Sequence, residues 1–110
     1  MPKRFIADLL SVVNSFPWIK RADPQITGKV AKIRLWLNSE FIDVYYNAQT
    51  GSTSYAYIQG DQRLFGANNM KIGWHLHPFG QQDIHRPILP ISIGEFLRLL
   101  EDELRQRGRL

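Results

Sequence analysis

The sequence predicts an α+β fold: a curved antiparallel sheet of about five strands in a meander, with an N-terminal and a C-terminal helix packed on one face. Three observations predict it. Apolar residues recur at helical spacing near both ends of the chain. Between those ends, from Lys29 onward, the period changes to two. The apolar side of that sheet is also the one large surface two amphipathic helices could cover. At 110 residues, 44% of them hydrophobic, the chain suits a single domain over 1–110 with one modest core.

Taken in order, Pro2 suits a first helical turn, and Phe5, Ile6, Leu9, Leu10 and Val13 form one apolar stripe. The spacing predicts a helix from Lys3 to Asn14, ending before Phe16-Pro17 because the residue ahead of a proline avoids helical angles. Trp18 to Thr27, with Asp23-Pro24 as a turn signal, reads as a connection. Strands are then expected at Lys29 to Leu37, Phe41 to Asn47 and Thr53 to Gln59. A fourth, Gln62 to Gly66, follows the Gly60-Asp61 turn, and the histidine stretch within Gly73 to Phe79 makes a fifth. Ser92-Ile93-Gly94-Glu95 is a capping box, and Ile93, Phe96, Leu97, Leu100 and Leu104 continue it as a helix to about Gln106, closed by Gly108.

Placing hairpin tips at Ser39-Glu40 and at Ala48 to Ser52 sets Leu35 against Val44, Arg34 against Tyr45, Val44 against Ala56 and Asp43 against Tyr57. The third hairpin sets Ala56 against Phe65 and Tyr57 against Leu64. One side then gathers Leu35, Leu37, Ile42, Val44, Ala56, Ile58 and Phe65, with Arg63 a misfit reaching solvent along its stem. The other side gathers Lys32, Arg34, Trp36, Asp43, Tyr45, Tyr55, Tyr57 and Leu64. His75 and His77, two apart on one strand, join it if Trp74 and Leu76 turn inward.

That polar and aromatic side is where chemistry is expected. A formal charge of +4 favours a polyanionic partner such as RNA, and no apolar run is long enough to span a membrane. No secretory signal is read at the N-terminus, and the lack of cysteine points to the cytoplasm and excludes thiolate metal sites. For a phosphodiester, His75 or His77 would move the proton, Arg34 would stabilise the phosphorane, Tyr45 and Tyr57 would stack or donate, and Asp43 would orient. Lys32, Trp36, Tyr55 and His85 would hold the substrate. No cofactor is needed for this. The alternative is a divalent transition metal such as zinc on His75, His77 and either His85 or Asp83. A third alternative is a non-enzymatic binding module, since a sheet face turned to water needs no function. The strand at Lys29 to Leu37, if an edge, could pair with a second copy to make a homodimer.

Several segments resemble the TumE-type toxin components of toxin–antitoxin pairs. They are Phe41 to Asn47, Thr50-Gly51, Ser54-Tyr55-Ala56, Phe65-Gly66-Ala67-Asn68-Asn69, Gly73-Trp74-His75-Leu76-His77-Pro78 and the later His85, covering roughly 30 to 100. The Gly-Trp-His-x-His-Pro segment is the most specific of these. The resemblance implies an antitoxin protein as partner and interference with RNA or translation, with His75, His77 and His85 as motif positions. Joined to the residue roles above, it leads to a metal-independent endoribonuclease.

Overall fold

A computed structural model describes residues 2–110. Two helices, α1 (Pro2–Val13) and α2 (Ile93–Gln106), flank seven strands. These are β1 (Arg21–Thr27), β2 (Val30–Trp36), β3 (Phe41–Asn47), β4 (Thr53–Gln59), β5 (Gln62–Asn68), β6 (His75–His77) and β7 (Arg86–Pro87). The strands lie in chain order, every neighbouring pair antiparallel. Among the described residues no helix is long and apolar enough to cross a membrane.

Helix α2 begins and ends where local chemistry fixes it. At the start of α2 the Glu95 amide donates to Ser92 Oγ at 3.2 Å, and the Ser92 amide donates to Glu95 Oε1 at 2.9 Å. At its end Gly108 turns left-handed, with φ of 69°. The Gly108 and Arg109 amides then bond back to the Arg105 and Leu104 carbonyls, a Schellman closure. Ile6 and Leu9 of α1 and Phe96, Leu97, Leu100 and Leu104 of α2 join Ala31, Ile33, Leu35, Ile42, Val44 and Phe65 in one core. Both helices therefore cover the same face of the sheet, and the other face is left open.

Two strands exceed the expected five. β1 occupies the stretch read as a connection, and β7 is two residues long. β1 has almost no buried side chain, so it carries no alternation to read. It is held by its ladder to β2 and by a tight turn in which Gly28 takes φ of 59°. Its proline, Pro24, is tolerated because β1 is the edge. β2 is therefore flanked on both sides and is no free edge for a second copy.

The register differs from the expected one in three places. The β2–β3 pairing is shifted by two residues, with Leu35 opposite Ile42 and Arg34 opposite Asp43, because the loop runs from Leu37 to Glu40. An even shift keeps every side chain on its face. The β3–β4 pairing is shifted by one: Val44 faces Tyr55 and Ile42 faces Tyr57. An odd shift exchanges faces. Tyr55 and Tyr57 turn into the core, 4% and 0% exposed, while Ala56 and Ile58 turn outward. Two aromatic rings bury far more apolar area than an alanine and an isoleucine, and that difference selects this pairing. The phenols are accommodated at the core's margin, where Tyr55 donates to the Ile91 carbonyl at 3.0 Å and Tyr57 to Glu40 Oε1 at 3.5 Å. In the β4–β5 hairpin Ile58 faces Arg63 as expected, but a bulge then sets Phe65 against Tyr57 and keeps Phe65 inside.

Candidate metal centre

The open face has two ends, and the histidines occupy one of them. In β6, His75 and His77 lie opposite Asn68 and Gly66 of β5, on the side away from the helices, while Trp74 and Leu76 pack toward the core. His85 returns to them because the chain between folds back. Gly80, with φ of 73°, donates to the Leu64 carbonyl, two short turns follow, and β7 then pairs with β6. The three rings converge, with centroids 5.0, 5.0 and 4.5 Å apart. One ring nitrogen from each lies within 4.8 Å of the other two. His75 and His77 are 5% and 3% exposed, whereas His85 is open to solvent.

Hydrogen bonds assign the tautomers. His75 Nδ1 lies 2.9 Å from the Gly73 carbonyl oxygen, and His77 Nδ1 lies 2.9 Å from that of Gln82. A carbonyl only accepts, so each Nδ1 carries a proton, and in the neutral ring Nε2 is then the atom with the lone pair. This is the arrangement found in metal-binding histidines, where the second nitrogen is tied down and the first is aimed. Burial pushes the His77 imidazolium below its ordinary pKa, and the nearby positive charges of Arg63, His85 and His75 push it the same way. The Gln82 carbonyl opposes them. A neutral imidazole is what a metal requires.

An ion bonded to three imidazoles at 2.0–2.1 Å needs its donor nitrogens roughly 3.4 Å apart. The nitrogens here lie within 4.8 Å of one another, so taking up an ion requires the widest pair to close by up to about 1.4 Å. The set holds the three histidines alone, so Asp83, considered as a third ligand, is not part of it.

Arg63 belongs to the same place, and sequence reasoning missed it. Opposite Ile58 at the start of β5, it runs its aliphatic stem over Gly66, where an added Cβ would come within 3.2 Å of Arg63 Cδ. Its Nη2 arrives 3.5 Å from His77 Nδ1. Asn68 and Lys71 line the same 380 Å³ cavity, and Lys71 sits there with φ of 68°. The signal for Arg63 was its status as the one charged residue in an apolar list.

The other end of the open face gathers Lys32, Arg34, Trp36, Asp43 and Tyr45 around a second hollow of 590 Å³. Arg34 grips Asp43 with two bonds, 2.8 and 3.1 Å, and lies 3.9 Å over the Phe41 ring. Trp36 donates to Asp23 at 3.0 Å, and Arg21 pairs with the same carboxylate at 3.2 Å. Arg34 on β2 and the histidines on β6 are four strand spacings apart, about 19 Å. Arg34, Asp43 and Tyr45 therefore share a face with the histidines but not a site. Tyr55 and Tyr57 share neither, and burial pushes both phenols above their ordinary pKa.

No protein-family model matches the chain, and neither a curated protein nor a solved structure matches it. The likeness to TumE-type toxins stays a likeness of the segments quoted.

Proposed function

We propose that the protein is a metal-dependent enzyme with His75, His77 and His85 as the ligands of a single divalent transition ion. The observation behind this is the convergence of three ring nitrogens, two of them oriented by backbone carbonyls. Three neutral ligands leave a fourth position open, where such an ion polarises an oxygen or activates a water for hydrolysis. The test is metal content of the purified full chain, followed by titration with zinc, nickel and iron(II). One equivalent bound at micromolar concentration or tighter, and lost in His77→Ala, supports the assignment. No uptake of any of the three ions removes it.

A second function rests on Arg63 beside His77. In it the imidazoles transfer protons at an RNA phosphodiester without a metal, and Arg63 takes the role first given to Arg34. Chelator-resistant cleavage of RNA distinguishes it from the metal enzyme. The setting of a cytoplasmic toxin countered by an antitoxin protein is likewise proposed, on the motif likeness and the +4 charge. Induced expression with and without the neighbouring reading frame, with total RNA inspected for new ends, tests that setting.

A further inference from the structure

Resting on the metal assignment, we infer that the substrate is a phosphoryl compound, and that Arg63 is the residue that holds its oxyanion beside the ion. The inference starts from a charge without a partner. Arg63 Nε is buried and makes no hydrogen bond. Among the described residues no carboxylate lies within ion-pair distance of its guanidinium. The nitrogen it approaches, His77 Nδ1 at 3.5 Å, already donates to Gln82 and cannot accept from it. A partly desolvated cation in this state is costly, and an anion arriving in the cavity offsets that cost.

The surroundings select the anion. Lys71 adds a second positive charge to the cavity wall, and among the described residues no acidic side chain lines it. Asn68 accepts from the Met70 amide through Oδ1, which leaves its amide nitrogen as a donor. A guanidinium fork suits two oxygens of one group. A carboxylate has only two, whereas a phosphoryl group can place one oxygen at the open metal position and still reach Arg63 and a second donor. Neutral imidazole ligands leave the ion's full double charge in place, which also favours the more highly charged anion.

The test titrates inorganic phosphate, and acetate for comparison, into the zinc-loaded full chain by calorimetry. Expected results are phosphate bound at least tenfold more tightly than acetate, and at least tenfold weaker phosphate binding in Arg63→Met with zinc stoichiometry unchanged. Arg63→Lys, which keeps the stem over Gly66, should fall between them and serves alone if the methionine variant does not fold. Equal phosphate affinity in the variants and the parent overturns the inference, as does acetate bound as tightly as phosphate. If the parent takes up none of zinc, nickel and iron(II), the metal assignment fails by itself. Phosphate is then titrated into the metal-free chain, where Arg63-dependent binding upholds the oxyanion site and no binding overturns it.

Discussion

The two ends of the open sheet face carry the same kinds of side chain in opposite electrostatic states. At the β1–β3 end each arginine has its carboxylate, Arg34 on Asp43 and Arg21 on Asp23, and the guanidinium of Arg34 lies over Phe41. At the β5–β7 end Arg63 has no carboxylate partner among the described residues, and three imidazoles crowd one another. At the first end the arginines are satisfied within the chain. The second sets the unpaired Arg63 guanidinium and Lys71 on one cavity wall that no carboxylate of the described residues lines, the arrangement on which the ligand proposal rests. Cationic and aromatic composition alone does not separate the two ends. Partnership does.

The largest effect expected lies with the tyrosines once assigned to one surface. Tyr57→Ala removes a ring that is 0% exposed and should destabilise the fold by about 3–5 kcal/mol. Tyr45→Ala, on the open face at the paired end, should cost under about 1 kcal/mol. Urea unfolding of both variants measures the gap, and similar costs would contradict the β3–β4 register. Next in size is His77→Ala. Replacing the outer partners of a metal ligand costs 10–100-fold in affinity, so removing a ligand should cost at least about 100-fold. Zinc at about 1,000 times the parent's dissociation constant should stabilise the parent by about 4 kcal/mol in thermal melts and His77→Ala by no more than about 1.4 kcal/mol.

Much of this was legible in the sequence, for identifiable reasons. The capping box at Ser92, the stripe through Leu104 and the alternation through Ala31, Ile33 and Leu35 each bury one face, and burial is what periodicity records. β1 buries nothing, so its ladder left no trace in residue types. The β3–β4 slip hid behind tyrosine itself, whose ring prefers the core and whose hydroxyl prefers water. The turn that sets this pairing depends on Asn47, whose side chain accepts from the Gln49 and Thr50 amides, a detail of conformation rather than of pattern. In the candidate site, His75 and His77 were placed together by strand parity alone. The return of His85 depends on the turns after Pro78, and Arg63 was visible only as a misfit.

Acidification should separate the two ends at a smaller scale. The His77 imidazole has a folded pKa below its ordinary 6.5, chiefly through burial. Once the pH drops below that ordinary value, the unfolded chain takes up a proton that the folded chain refuses. Stability is therefore full above the unfolded pKa and declines as the pH falls toward the folded one. A single group contributes a slope of at most about 1.4 kcal/mol per pH unit. Metal-free protein melted between about pH 7.5 and 5 should show this decline, and His77→Gln should flatten it. An equal slope in the variant would assign the proton to another group.

The smallest effect belongs to the Arg34–Asp43 pair. Its side chains are 44% and 40% exposed, so solvent screens the attraction. The two-bond geometry and the Phe41 ring beneath it bring the pair toward the upper part of the surface range, about 0.5–1 kcal/mol. A double-mutant cycle with Arg34→Met and Asp43→Asn measures that coupling, and added salt should reduce it. Neither variant should alter zinc or phosphate binding, since four strand spacings of sheet lie between. A tenfold change in either would mean that the two ends act as one surface, and the division between a self-satisfied end and a ligand-seeking end would fall.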